Sequence, residues 1–389
     1  MAFEAAKNLV KDLKRKGFES YLVGGVVRDF LMKRPFSDID ITTKAKPYEI
    51  LKLYKSVPTG LKYGTVTILF DNHKFEVTTF RLDGPSSDFR HPDSVIYSDN
   101  VLDDVNRRDF TMNGILMDEF QNIYDHVSGI KDIKDKIIRT IGNPDERFNE
   151  DALRILRAVY FQSKLGFKIH EDTLSSMKRN NHLLKELKME RVLTEMIKIL
   201  KGPFLKDALT TLINCELHNY LPGLKKGIEY VQTLDEMPYV DTFFALSFTL
   251  NDGIIPSTWP FSNIHKNKYK KASYLAINHP EITDHILYQY GLEISILANK
   301  VNFYLKKAPH LERKITSEFK NLPVKSIVDL ALTSDEIVEF YHKKPGAWLG
   351  KLQRQLVIDI LDKKIKNTKE DIIKYLERSE KLWNKQLEK

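Results

Sequence analysis

The 389-residue chain predicts an α+β fold, with a small sheet and its helices first and a long all-helical remainder after them. Three observations predict it. Runs of β-forming or alternating residues at 21–23, 37–42, 65–70 and 74–81 are bounded by Gly, Pro, Asn or Asp. All of them precede residue 140. From about Ile141 the apolar residues recur at helical spacing, with few convincing strands to the end.

The length suffices for two or more domains with buried cores. A hydrophobic share of 42% and a charged share of 29% are those of a soluble globular protein. The single cysteine, Cys215, excludes an intramolecular disulfide and a cysteine-built metal cluster, and fits a reducing compartment. The first 20 residues read as an amphipathic helix rather than a signal peptide. No stretch approaches the roughly 18 apolar residues of a membrane span, so a cytoplasmic protein with no membrane partner is expected. A net charge of +8 and a pI near 9.1 favour a polyanionic partner, although a merely basic enzyme has the same balance. No GxxxxGK[ST] run is present, which leaves a P-loop ATPase without support.

In order along the chain, Phe3, Ala6, Leu9, Val10 and Leu13 share one face of a helix over 3–16, and Gly17 supplies its stop. The stretch at 21–43, YLVGGVVRDFLMKRPFSDIDITT, is the centre of the sheet-forming part. Its short apolar strand stops at Gly24-Gly25, as where a backbone turns tightly or approaches a ligand. A helix over 26–32 carries Arg28 near its start and has Pro35 beyond its end. Residues 37–42 alternate strictly, which sets Asp38, Asp40 and Thr42 on one strand face and Ile39 and Ile41 on the core face. Carboxylates two residues apart on a strand stand about 7 Å apart. They suit Mg²⁺, which takes oxygen ligands and completes its shell with water and substrate phosphates. Two such ions activate an attacking hydroxyl and stabilise a leaving pyrophosphate. A strand with a solvated polar face shows the same pattern.

A helix over 47–53, a strand over 65–70, a turn at 71–73 and a strand over 74–81 come next. The last sets Glu76, Thr78 and Phe80 on one face. Glu76 is a third carboxylate if its strand neighbours that of Asp38 and Asp40, and otherwise an ordinary solvent-facing residue. Residues 83–98 form a long polar loop without periodicity. Arg107-Arg108-Asp109 is an anion-binding candidate or a helix-start charge cluster.

Beyond Ile141, helices are expected around 150–165, 171–180, 190–201 and 204–215, with joints at Gly202-Pro203, 251–260 and 321–323. Basic clusters at 266–271, 306–314 and 363–374, with Tyr269, Tyr304 and Trp348 in the same region, either meet a phosphate backbone or are solvated helix faces. On a helix over 149–160, Asp151 and Arg157 lie about 60° to either side of Arg154, and Glu150 about 40° from it. That face is either a salt-bridge ladder or a base reader. A carboxylate accepts from an exocyclic amino group while a guanidinium donates to ring nitrogen and carbonyl acceptors. Cytosine and adenine satisfy both, whereas uracil and guanine present a carbonyl where Asp151 needs a donor.

The ordered motifs LVGGVVRD, SDIDITT, FEVTTFRLDG, RRDFTMN, EDALRILRA and ERVLTEM resemble the class II tRNA nucleotidyltransferases of the polymerase-β superfamily. These include CCA-adding enzymes, CC- and A-adding relatives and bacterial poly(A) polymerases. The resemblance is dense over 20–200 and looser beyond. It implies a small mixed-sheet, palm-like head at 1–140, a nucleotide-selecting helical neck at 141–200, a helical body at 201–270 and a tRNA-binding helical tail at 271–389. It further implies that Asp38 and Asp40 hold two Mg²⁺ ions, with Glu76 as a third catalytic carboxylate. Gly24, Gly25, Arg28 and Arg108 would belong to the nucleotide site. Asp151 and Arg154 would be a protein template, assisted by Glu150 and Arg157 and buttressed by the helix of Glu190, Arg191 and Glu195. Tyr160 departs from members with a further arginine there.

The segment from Asp83 to Val95 resembles the flexible loop of CCA-adding members, and no His-Asp dipeptide marks an added phosphohydrolase domain. The implied activity is CCA addition to the 3′ end of tRNA from CTP and ATP. The implied partner contact is with the acceptor end and upper half of the tRNA. The alternatives are a CC- or A-adding specialist, a poly(A) polymerase, or an inactive RNA-binding relative. A monomer and a homodimer are equally compatible with the sequence.

Overall fold

A computed structural model describes residues 1–36, 38–83 and 95–387, with residues 83 and 379–387 described by backbone alone. Most of the loop expected between Asp83 and Val95 therefore lies outside the described residues. Two compact units are present, Met1–Val240 with Pro256–Pro260, and Asp241–Ile255 with Phe261–Lys389. That division falls inside the 201–270 segment.

The first unit opens with α1 (Ala2–Arg15), β1 (Ser20–Val23), α2 (Gly25–Leu31), β2 (Asp40–Thr43) and α3 (Pro47–Leu53). It continues with β3 (Ser56–Gly60), β4 (Thr65–Phe70), β5 (His73–Thr79), β6 (Arg81–Asp83), β7 (Val95–Tyr97), α4 (Val101–Asn106), β8 (Leu116–Met117) and β9 (Ile123–Tyr124). Seven strands form one sheet in the order β3-β4-β5-β2-β1-β8-β9. The β2–β5 pair is parallel and the other pairs are antiparallel, so the sheet is mixed. The β4–β5 hairpin closes through Asp71 and Asn72, both at positive φ, the geometry that matches strand twist across a two-residue turn.

Two cores flank this sheet. On one face Ala5, Ala6, Leu9, Val10 and Leu13 of α1 pack with Leu22, Ile41, Val66, Ile68, Phe75 and Val77, each large side chain contributing about 1.5–3 kcal/mol by leaving water. Among the described residues the opposite face carries the small cluster of Val23, Val105 and Leu116. Its remainder carries exposed Asp40 and Glu76.

The structure corrects three expectations. The strand predicted over 37–42 begins only at Asp40, so Asp38 lies on the segment leading into it. Thr42, expected on a solvated face, is fully buried and donates to Asp104 Oδ2 of α4 at 2.9 Å. The polar stretch after Asp83 includes a strand, because Val95–Tyr97 pairs with Arg81–Asp83 as a separate two-stranded ladder.

The helical part of this unit comprises α5 (Gly129–Asp135), α6 (Pro144–Glu150), α7 (Leu153–Leu165), α8 (Glu171–Arg179), α9 (Met189–Leu200), α10 (Leu205–Asn214) and α11 (Lys225–Gln232). A two-strand parallel ladder, β10 (Ile137–Ile138) with β11 (Lys168–Ile169), is set among them. The second unit is all helical among its described residues: α12 (Val240–Leu250), α13 (Asn263–Asn278), α14 (Asp284–Tyr304), α15 (Glu312–Lys320), α16 (Ser334–Tyr341), α17 (Ala347–Leu361) and α18 (Lys369–Leu387). Tyr269 and Trp348, read in sequence as partners of the basic clusters, are core residues with 2% and 8% exposure. Lys270, Lys271, Lys306, Lys307 and Lys363 from those clusters are exposed.

Candidate active site

Strand register builds the acidic end of the site. Asp40 stands beside Glu76 in the parallel β2–β5 pair, Glu76 beside Thr67 of β4, and Thr67 beside Val57 of β3. These four residues form one row across four strands. The neighbour relation on which the Glu76 expectation depended is therefore present. Asp38, Asp40 and Glu76 share a cavity of about 680 Å³ with Ile39, Val57, Thr59, Thr67 and Lys74. Asp40 lies in this recess with its carboxyl above the usual range. Lost hydration raises it most, Arg108 opposes the rise, and the charges of Glu76 and Asp38 add to it.

No three His, Cys, Asp or Glu side chains among the described residues converge into a ready-made metal cage. The donors are nevertheless of the right kind. Crowded carboxylate oxygens in an open recess fit a hard divalent cation that keeps part of its water and takes further oxygens from a substrate. Such a charge also relieves the repulsion that raises Asp40.

The nucleotide-site candidates Gly24 and Arg108 lie beside Asp40 at β1. Val23 is the register partner of Asp40, and the chain then turns through Gly24 at φ 80°, ψ −134°, a region that residues with a Cβ avoid. A Cβ on Gly24 would sit 3.5 Å from Asp40 Oδ2 and 3.6 Å from Arg108 Nη1, so these groups face one another. Asp104 holds Arg108 in place. Its Oδ2 takes Arg108 Nη2 and its Oδ1 takes Arg107 Nε, each at 2.8 Å. Asp104 was missed in the sequence, although its i, i+3 and i, i+4 spacing to the two arginines was a readable signal. Arg28 is buried, bidentate to Asp29 at 2.9 Å and bonded to Asn113 Oδ1 at 2.7 Å. Its Nη2 lies 3.6 Å from where a Cβ on Gly25 would stand.

The predicted continuous helix over 149–160 is two helices. α6 ends at Glu150, Asp151 is extended at φ −145°, ψ 98°, and α7 starts at Leu153. The cause is local: Asp151 Oδ1 accepts from the Leu153 N–H at 3.1 Å, the side-chain-to-backbone bond with which aspartate competes against helix. Its other oxygen pairs with Arg191 of α9 at 3.1 Å. Arg154 is 9% exposed. Its Nη1 donates to Arg147 O at 3.0 Å and Glu150 Oε2 at 2.8 Å, and its Nη2 to Arg107 O at 2.9 Å. Arg157 grips Asp109 Oδ2 at 2.8 and 2.5 Å, and Asn113 reaches the other oxygen at 3.1 Å. Asp109 is held low because Arg157 and Asn113 outweigh its burial, and Arg157 is raised chiefly by Asp109. Asp109 and Asn113 thereby tie Arg28 of the sheet region to Arg157 of α7. The Tyr160 ring is tilted by 43° against that of Phe161 at 4.9 Å and lies under the ammonium groups of Lys164 and Lys198 at 6.0 and 5.6 Å.

The two constellations therefore meet at the Arg107-Arg108 dipeptide: Arg154 holds the carbonyl of one, and the side chain of the other faces Asp40.

Comparison with known proteins agrees with this arrangement. Residues 20–139 match the family described as the Poly A polymerase head domain, residues 166–228 the probable RNA and SrmB-binding site of polymerase A, and residues 254–376 a putative tRNA nucleotidyltransferase domain 2. The CCA-adding enzyme of Staphylococcus epidermidis is 36% identical over 98% of this chain and 99% of its own length. That of Geobacillus kaustophilus is 36% identical over 96% of both. The fold superposes on a Bacillus stearothermophilus CCA-adding enzyme solved in complex with CTP, with a TM-score of 0.85, 32% identity and 99% of each chain covered. A Thermotoga maritima CCA-adding enzyme complexed with tRNA shares the fold at a TM-score of 0.64, 18% identity, and coverage of 96% of this chain and 94% of that one. With a mixed-sheet head, a mainly helical remainder and this similarity over nearly its whole length, the chain belongs to the CCA-adding enzyme family of tRNA nucleotidyltransferases.

Proposed function

We propose that this chain adds C, C and A in turn to the 3′ end of tRNA, using CTP and ATP without a nucleic-acid template and releasing pyrophosphate. The observation that carries the reading is the unused hydrogen-bonding capacity at Asp151 and Arg154. Of the five guanidinium N–H donors of an arginine, three of Arg154's are taken by protein acceptors. Two are left. The Asp151 carboxylate accepts one backbone and one arginine donor, which leaves about two of its lone-pair sites. Cytosine offers an amino donor with two acceptors, and adenine an amino donor with one, so both fit. A uracil or guanine carbonyl set against Asp151 leaves polar groups unpaired at about 1–3 kcal/mol each.

In the reaction the 3′-hydroxyl oxygen of the RNA bonds to the α-phosphorus as the bond to the pyrophosphate oxygen breaks. Asp38 and Asp40, with Glu76 beside them, would hold two Mg²⁺ ions, which when bound acidify the hydroxyl and neutralise the leaving charge. Arg108, aimed by Asp104, directs its free edge to the rim where triphosphate charge collects. The Gly24 turn admits that triphosphate because no Cβ stands in the way. Glu150 and Arg191 fix Arg154 and Asp151, so base selection costs little ordering at the moment of binding.

The head at 1–140 and neck at 141–200 would carry this chemistry, and the body at 201–270 and tail at 271–389 would grip the upper half of the tRNA. A bacterial cytoplasm is the matching location, and no described helix is long and apolar enough to cross a membrane.

Incubating the purified protein with tRNA lacking CCA, together with CTP and ATP, and sequencing the 3′ ends tests the reading. Ends completed to CCA are expected. Ends stopping at CC, A added only to CC ends, or long A tracts would instead identify a specialist or a poly(A) polymerase.

A further inference from the structure

The nucleotidyl-transfer reading draws its chemistry from the first unit. We propose that a cavity in the second unit, where the end of α13 meets the start of α14, is a separate binding site for one unstacked adenine ring, carried by an RNA or by a free nucleotide. This inference stands apart from the transfer reading, except where its test uses RNA extension.

Two helix faces build the cavity. Tyr274 and Asn278 stand one turn apart on α13, and Ile286 and Tyr290 one turn apart on α14. Together with Gln289 they line a space of about 490 Å³, within the range of about 300–1,000 Å³ in which pockets hold one small ligand. The rings of Tyr274 and Tyr290 stand 6.5 Å apart and 27° from parallel. A flat ring held between two others needs about 7 Å, as two contacts of about 3.5 Å each. Tyr274 is 48% exposed, so a small rotation of its side chain opens the gap. Tyr290 is the firmer wall. It packs against buried Leu275, Ile286 and Ala298, and α14 breaks directly after it. Gly291 there has φ 75°, ψ 174°, a conformation essentially confined to glycine and of the kind that gathers at ligand clamps.

The polar groups choose the ligand. Gln289 is exposed on the α14 wall, and a side-chain amide pairs with the amino group and N7 of adenine through one acceptor and one donor. Asn278 gives its Nδ2 to Tyr274 O at 2.9 Å and keeps its oxygen as a further acceptor. His285 also lines the cavity, with its Nε2 bonded to Asp362 Oδ1 at 2.7 Å, which fixes the imidazole in that wall. Glu281 in the lining opposes a phosphate, so the base enters and the phosphate stays outside. Lys270 and Lys271, exposed and one turn before Tyr274 on α13, are placed to meet it there.

The test compares Tyr274→Ala, Tyr274→Phe and Gln289→Ala with the unsubstituted protein. AMP and UMP binding are measured by equilibrium dialysis with CTP in excess to fill the transfer site. In parallel, kcat/KM is measured for tRNA lacking CCA and for a short acceptor-stem RNA. If a free nucleotide occupies the cavity, the unsubstituted protein binds AMP more tightly than UMP. Tyr274→Ala should then weaken AMP at least about fivefold, as for one lost stacking partner. Tyr274→Phe should keep the binding, and Gln289→Ala should erase the preference over UMP. If the adenine belongs to the RNA, the same order of effects should appear in kcat/KM for the tRNA, with the short RNA unchanged. AMP binding and tRNA kinetics both indifferent to Tyr274→Ala overturn the site. A loss that Tyr274→Phe shares, or an equal loss on both RNAs, overturns it too. Failure of the unsubstituted protein to extend either RNA counts against the transfer reading instead, and AMP binding then decides the site alone.

Discussion

Asp104 is fully buried and takes hydrogen bonds from Thr42, Arg107 and Arg108. Burial alone would raise its carboxyl, but Arg108 and Arg107 together outweigh that and bring it down to about 2. An unfolded aspartate titrates near 3.9, so this depressed group adds stability that is complete above about pH 4 and vanishes as pH falls through about 2. The difference amounts to about 2–3 kcal/mol. Urea unfolding at pH 6, 4 and 2.5 should show somewhat more than half of it, about 1–1.5 kcal/mol, lost between the last two conditions. Asp104→Asn should be less stable at pH 6 and flatter across the series; an equally steep acid loss in that variant would assign the effect to other groups. At the base reader, Arg154→Ala removes the donors proposed to face cytosine and adenine. The preference for CTP over UTP should fall at least tenfold while the KM for the triphosphate moves less. A preserved preference, measured by single-nucleotide incorporation, would remove Arg154 from base reading. At this scale the sequence picked out charged side chains as candidates but not what already holds them. The charge types at 28, 108, 151, 154 and 157 were visible in the motifs. Of their partners, Asp109, Asn113 and Arg191 are brought up by tertiary packing, whereas Asp104 stands one helical turn from Arg108.

Among the elements, those with a strong period were legible and those set by side-chain capping were not. The helices Ala2–Arg15 and Pro47–Leu53 and the strand Thr65–Phe70 stand within a residue or so of their expected ends, because each buries one regular face. The break between α6 and α7 had no such signal. Helical spacing runs unbroken through 149–160, yet Asp151 takes the backbone N–H of Leu153 and pairs with Arg191 from a distant helix. Likewise β6 and β7 were hidden because a three-residue strand is too short to show a period. The β1–α2 turn depends on one residue. At φ 80°, ψ −134° Gly24 is strained by any Cβ, whereas the 3.5 Å space toward Asp40 is ordinary contact. Gly24→Ala should therefore cost about 1–3 kcal/mol through backbone strain, read as a lowered denaturation midpoint, with activity falling further than stability. Stability and turnover both unchanged would show that the turn accommodates a side chain.

For the molecule as a whole, the sequence resolved the order of parts, sheet first and helices after, and the fold has that order. What it could not supply was the contact between distant segments. Asp40 and Glu76 are 36 positions apart and become neighbours only through the parallel β2–β5 pair. Arg154 reaches Arg107 across 47 positions. Those two contacts put the acidic row and the base-reading edge on either side of Arg107-Arg108, and the proposed chemistry depends on their serving one nucleoside triphosphate. The most direct test is a crystal structure of the protein with CTP and a divalent cation. It should show the cytosine edge hydrogen-bonded to Asp151 and Arg154 and the α-phosphate beside Asp40. Cytosine bound away from Asp151 and Arg154, or an α-phosphate remote from Asp40, would contradict it.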